Sequence, residues 1–235
     1  MTLLQLAIGT VNDVVDAPAD AGRKPGKPIP AGLVDARAAR ATAAGLAVVG
    51  ILLAATVSPA LAILALVVLG IGLWYDLRLK GTAWSWLPFA VGIPILPVYG
   101  WLGATGSLEP AFAVLVPAAV AGGAALAISN SLVDVERDAD AGRSSVALEL
   151  GPVQAAGIAT ALVAGVGAAA TATAWLAGAT AAELVGLLGL GAAALLAVAV
   201  APGRPARDRE WAWRIEAVAL GGMAVLWIAA VLGRA

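Results

Sequence analysis

Asn12-Asp13-Val14-Val15-Asp16-Ala17-Pro18-Ala19-Asp20, running on through Arg23, Lys24 and Lys27 to Pro28-Ile29-Pro30, sets an amide and three carboxylates beside a basic loop. Its first part lies in an apolar span that runs from Met1 to about residue 17. Charge held at membrane depth is costly, so ionisable residues clustered where an apolar segment ends point to a functional site. The rest of the chain reads as a cage around that site.

Composition sets the class. Hydrophobic residues make up 61% of the chain and charged residues 12%, with a mean hydropathy of +0.94, a balance that belongs to an integral membrane protein. There is no cysteine and no histidine. That excludes disulfides, thiolate nucleophiles, zinc centres and imidazole bases, so any metal is a hard one held by oxygen. The net charge of −1 carries no information about partners, because charge is sorted by position along the chain.

Apolar runs of about 20 residues, the length that spans a bilayer, alternate with short polar connections. They predict an all-α, polytopic helical bundle of about eight transmembrane helices, at 1–17, 41–57, 59–75, 84–103, 110–131, 152–176, 181–201 and 209–233. Helix punctuation falls at their ends: Ser58-Pro59, Glu109-Pro110 and Gly151-Pro152 place proline at a first turn, and Thr180 with Glu183 makes a capping box. Gly165-x-Gly167 and the Ala/Gly run at 186–193 suit close helix packing in lipid, or reflect a GC-rich genome.

Basic residues orient the bundle. Arg23, Lys24, Lys27, Arg37 and Arg40 share one connection; Arg78 and Lys80, then Arg137 and Arg143, then Arg204, Arg207, Arg209 and Arg214 mark every second one after it. The connections between have no Lys or Arg, so the basic loops are expected to face the cytoplasm of a multi-pass cell-membrane protein, with only Arg234 outside. Trp74, Trp84, Trp86, Trp101, Trp175, Trp211 and Trp213 fall near span ends as an interfacial belt. The first segment lacks a basic n-region and ends in carboxylates, unlike a signal peptide.

A second acidic cluster, Asn130-Ser131-Leu132-Val133-Asp134-Val135-Glu136-Arg137-Asp138, repeats the Asn-x3-Asp-x3-Asp spacing of Asn12, Asp16 and Asp20. Ala-Asp-Ala-Gly-Arg also recurs, at 19–23 and 139–143, and an internal duplication accounts for both. Residues i, i+4 and i+8 share a helix face, so each cluster is expected to form a single ridge of oxygens. Pro18 is expected to end or kink the first ridge and leave Asp20 on the turn beyond. Mg²⁺ takes carboxylate oxygens, keeps waters and bridges to phosphates. Two acidic sets are therefore expected to hold a metal pair on a diphosphate, with Lys24, Lys27, Lys80 and Arg143 clamping its oxygens. One acidic ridge alone is more often solvated surface, and basic loops alone need mean only topology.

The sequence resembles the UbiA superfamily of intramembrane prenyltransferases. Its first motif, Asn-Asp-x-x-Asp-x-x-x-Asp followed by Arg/Lys-Pro-Ile-Pro-x-Gly, is similar to the run from Asn12 to Gly32. Its second, Asp-x-x-x-Asp followed by Gly and Ser/Thr, is similar to Asp134, Asp138, Gly142 and Ser145, and its Tyr-x-x-x-Leu-Lys element is similar to Tyr75 through Lys80. The resemblance implies one prenyltransferase domain over 1–235, with a cavity open to lipid. It implies that Asn12, Asp16, Asp20, Asp134 and Asp138 anchor two Mg²⁺, while Lys27, Tyr75, Lys80 and Arg143 contact the diphosphate. Asn130 joins the ligands by internal symmetry, with a helix-packing role as its alternative; for Lys80 and Tyr75 the alternatives are a snorkelling lysine and a belt aromatic. Asp16, Asp134, Asp138 and Lys80 are the expected catalytic residues. The expected partners are a polyprenyl diphosphate, a lipophilic or aromatic acceptor of quinone-precursor type and the bilayer, and not nucleic acid.

Three departures from the family pattern stand out. The chain is expected to lack the family's first helix; Ala17 and Ala139 occupy places where the family often has Arg; and Pro18 sits between two aspartates. A repeated set of intramembrane carboxylates also marks cation carriers. That reading is disfavoured by the lysines beside the acids, which repel a bare cation and attract a phosphate. An inactive or truncated homologue is the third reading.

Overall fold

The computed structural model describes residues 1–22, 24 and 26–233; Arg23 and Arg234, counted above among the basic residues that orient the chain, lie outside them. The described residues are helical, without strands. In chain order the helices are α1 (Thr2–Asp20), α2 (Ala36–Val57), α3 (Pro59–Trp74) with a π-helical turn (Tyr75–Leu79), α4 (Leu87–Gly92), α5 (Ile95–Thr105), α6 (Phe112–Val133), α7 (Val135–Asp140), α8 (Val146–Leu150), α9 (Pro152–Leu176), α10 (Ala181–Val200) and α11 (Ala206–Val231). Among the described residues seven helical segments are long and apolar enough to cross a membrane, with α4 and α5 together making one of them. The 19-residue α1 is long enough too, but it carries Asp13, Asp16 and Asp20. This is a multi-pass membrane protein.

Local chemistry explains the helix ends. Ser58 accepts from the Leu61 N–H at 3.2 Å and Pro59 opens α3, while Thr180 and Glu183 form the reciprocal capping box that opens α10. Asp35 caps α2 by accepting from the Arg37 and Ala38 N–H groups at 2.9 and 3.0 Å, which starts that helix five residues before the predicted 41. The predicted span 84–103 is interrupted between Gly92 and Ile95, where Pro94 cannot donate a helical hydrogen bond.

The chain divides into two compact units. The first comprises Met1–Lys80 and Ile95–Ser107. Its α1 packs on α2 and α3 around Leu4, Ala54, Leu61 and Ala65, with Tyr99 and Leu102 of α5 against them. The second comprises Gly81–Pro94 and the residues from Leu108 on. There α6, α9, α10 and α11 pack around Val163, Leu187, Ala194, Met223 and Trp227. Gly123 lets α6 meet α4, since a Cβ there would lie 2.6 Å from the Phe89 carbonyl oxygen; Gly167 and Gly191 bring α9 and α10 into contact. Leu52, Leu53, Ile63, Leu66, Leu188 and Val218 point outward, as helices in lipid require.

Two tryptophans make hydrogen bonds between helices. Trp213 donates from its indole nitrogen to the Leu126 carbonyl of α6 at 3.1 Å, tying α11 to α6. Trp227, absent from the predicted belt, is buried and donates to the Thr173 hydroxyl of α9 at 2.8 Å.

Candidate functional site

In the first unit the acids lie along α1. Asn12, Asp16 and Asp20 follow one face at helical spacing. Pro18 does not end the helix as predicted. It falls within the last turn, where it forfeits the single hydrogen bond back to Val14, and Asp20 is the last helical residue. Asp20 is 6% exposed, and the Lys24 ammonium 2.8 Å away, through its hydrogen bond, holds the carboxyl below the usual carboxylate range. One Asp20 oxygen, Oδ2, is buried without a hydrogen-bond partner.

All three lysines of the sequence pair with aspartates of α1. Lys24 pairs with Asp20, Lys27 with Asp13, and Lys80 with Asp16 at 2.6 Å. The Asp13 contact pushes the Lys27 ammonium above its ordinary value. Lys80 reaches Asp16 because the π-helical turn, closed by the Lys80 N–H on the Tyr75 carbonyl at 2.9 Å, brings it to α1. Its ammonium also lies 6.0 Å from the centre of the Tyr75 ring.

Sequence reading passed over Asp76. It is 4% exposed, and its Oδ1 accepts from the Asn12 amide nitrogen at 2.7 Å. The available signal was an acid beside Tyr75 at membrane depth.

The second unit carries Asn130, Asp134, Asp138 and Arg143. Here the predicted single ridge is broken. Asn130 belongs to α6, Asp138 to α7, and Asp134 between them has φ −100° and ψ 5°. The break has a visible cause in Arg209, 7% exposed, which donates to the carbonyls of Val133 at 3.4 Å and Arg204 at 2.6 Å and pairs with Glu136. A guanidinium thus takes the carbonyl at the end of α6, in the manner of a C-terminal cap. The pairing holds the Glu136 carboxyl below its usual range. The Asp138 N–H still reaches the Asp134 carbonyl at 2.8 Å, which keeps the two acids adjacent. Burial, and then the Asp134 charge, push the Asp138 carboxyl up. Such mutual repulsion is what a bound cation relieves.

Arg137 pairs with Asp134 at 2.9 Å. Arg143 is exposed, packs over Gly81, and is followed by Ser144, whose N–H donates to the Gly81 carbonyl at 3.0 Å. Ser145 is the N-cap of α8. An apolar cavity of about 750 Å³ in this unit is lined by Trp84, Trp86, Pro117, Ile128, Val146 and Leu162, among others. Glu216 of α11 is fully buried beside Ser129.

The donor set suits Mg²⁺. It consists of hard oxygens, one of them the buried and unbonded Asp20 Oδ2. Among the described residues no three acidic side chains converge into a closed cage. Mg²⁺ does not need one, because it keeps waters and completes its shell with one or two carboxylates and substrate phosphates.

The profile of the UbiA prenyltransferase family matches residues 1–232. No curated protein matches the chain. Two solved structures share its fold. One comes from work on digeranylgeranylglyceryl phosphate synthase in membranes, with a TM-score of 0.79 and 16% identity over 98% of this chain and 82% of that one. The other is the apo structure of a UbiA homolog from Aeropyrum pernix K1, with a TM-score of 0.70 and 19% identity over 99% of this chain and 86% of that one.

Proposed function

The chain belongs to the UbiA prenyltransferase family, and from that premise we propose that it moves a polyprenyl group from its diphosphate to a lipophilic acceptor inside the membrane, with Mg²⁺ as cofactor. One observation carries the reading: every lysine of the chain lies against an aspartate of α1. Carboxylates and ammoniums interleaved at one membrane edge match a ligand that itself carries both signs, a magnesium diphosphate.

Asn12, Asp16 and Asp20 of the first unit would offer Mg²⁺ an amide and two carboxylate side chains, and Asn130, Asp134 and Asp138 of the second are the candidate metal ligands of that unit. When bound, Mg²⁺ neutralises the charge that gathers on the diphosphate as its C–O bond breaks. Lys24, Lys27, Lys80 and Arg143 donate to the phosphate oxygens, and the Tyr75 hydroxyl joins them. The bond from C1 of the prenyl chain to oxygen breaks with its electron pair on the diphosphate. The allylic cation is then attacked at C1 by the acceptor, which loses a proton. The apolar cavity of the second unit, with Trp84 and Trp86 in its wall, suits an allylic chain. Quinone-precursor aromatics are the first acceptors to try, and glycerol phosphate lipids the second. The motif loops face the cytoplasm.

The test supplies membranes containing the chain with labelled geranylgeranyl or longer diphosphate, Mg²⁺ and a pool of aromatic and glycerol phosphate acceptors. Labelled lipid product that disappears with chelator, with Asp16→Ala and with Asp134→Ala supports the proposal. Product formation indifferent to both substitutions would remove the assignment of these acids, and no product from folded wild type with any donor would overturn the transferase.

A further inference from the structure

Two residues of α1 meet two residues at the end of α3 in the same register. Asn12 contacts Asp76 and Asp16 contacts Lys80, each pair separated by 64 residues in sequence. Since 12 and 16, and 76 and 80, are both one helical turn apart, the contacts form two adjacent rungs. The lower rung carries a lysine to an acid. The upper one needs a different explanation, because Asp76 is a carboxylate 4% exposed at membrane depth, and its Oδ2 has no hydrogen-bond partner. Burying such a group is costly and is repaid only in part by one hydrogen bond from a neutral amide.

We propose that Asp76 is a positioning residue for Asn12: by holding the amide nitrogen, it turns the amide oxygen away from α3 and presents it as a metal ligand. The chemistry is specific. An asparagine side chain rotates freely between two faces, one donating and one accepting, and only the oxygen binds a cation. In the structure the amide nitrogen donates to Asp76 Oδ1 at 2.7 Å, which leaves the amide oxygen for the metal. Partners of this kind, one shell out from a metal, typically control its affinity by about 10–100-fold. The π-helical turn supplies the place, since it carries Asp76 on the side of α3 that faces α1.

This inference rests on the Mg²⁺ role proposed above, and its test separates the two. The full chain, purified in detergent with inorganic diphosphate present, is titrated with Mn²⁺ and free Mn²⁺ is read by electron paramagnetic resonance. Asp76→Ala is expected to weaken Mn²⁺ binding about 10–100-fold, while Asp76→Asn, whose amide can accept from Asn12 but can also donate to its oxygen, recovers only part of the affinity. In an Asn12→Ala background Asp76→Ala is expected to cost nothing further. In turnover, the Mg²⁺ concentration for half-maximal rate rises by the same factor while kcat at saturating Mg²⁺ is kept. Should Asp76→Ala not purify, Asp76→Ser breaks the same contact with a polar group in place. Wild-type affinity in Asp76→Ala, or an equal loss in the Asn12→Ala background, would overturn the inference and leave the transferase reading intact. A wild type that binds no Mn²⁺ would overturn the metal role itself, and the inference with it.

Discussion

At the scale of single residues, the site is a set of lysine–aspartate pairs on one helix, and they do not all serve one purpose. Lys80 lies against an acid proposed to bind metal, so its charge belongs to the reaction. Lys80→Met is expected to lower kcat about 10²–10³-fold, the cost of losing one donor to a developing anion, with the melting temperature nearly unchanged. Lys80→Arg is a poor rescue, because a planar fork does not replace a compact ammonium on a flexible stem. Lys27 pairs with Asp13, which stands off the Asn12–Asp16–Asp20 face, so part of its effect is on stability. Its folded value lies above the ordinary 10.5 because of Asp13. The stabilisation is therefore complete below pH 10.5 and is lost as pH rises through the raised value. Thermal melts of wild type and Lys27→Met should differ by a constant amount from pH 7 upward and converge only at strongly alkaline pH.

At the scale of elements, close packing without bulk decides where helices can meet. Gly123→Ala would put a methyl group 2.6 Å from a backbone oxygen of α4, which has no side chain to move aside. It should cost about 1–3 kcal/mol, seen as a lower melting temperature in detergent. Gly165→Ala meets nothing within 4 Å and should be neutral or slightly stabilising, since alanine is the better helix former. The same contrast explains what sequence could tell. Gly165 and Gly167 look alike in the chain, but only Gly167 touches a neighbouring helix, and spacing alone does not say which face is packed. The capping box of α10 and the proline start of α3 were readable because both halves of each signal are local. The break at Asp134 was not, because its cause is Arg209, 75 residues further on and counted only as a topology marker. Pro18 misled for the opposite reason. A strong local rule was applied one turn from a helix end, where few bonds remain to be lost.

At the scale of the whole molecule, the acids of the candidate site were legible from their repeated spacing, whereas Asp76 was not, because nothing in a sequence pairs residue 12 with residue 76. The alternation of basic and uncharged connections makes a claim about the entire chain, and the absence of native cysteine makes it simple to test. Ala141→Cys and Ser107→Cys both lie at exposed positions. In intact cells a membrane-impermeant maleimide is expected to label Ser107→Cys and to label Ala141→Cys only after the membrane is opened; the reverse pattern would invert the topology. The two rungs between α1 and the end of α3 also make the chain unequally tolerant of changes in length. Deleting Val67 within α3 turns everything after it by about 100° and should take Asp76 and Lys80 off α1 together, with loss of turnover. An extra residue at the exposed Leu33, in the connection before α2, leaves both rungs in place. Along this stretch, gaps in related sequences should therefore collect between α1 and α2 and be missing from α3.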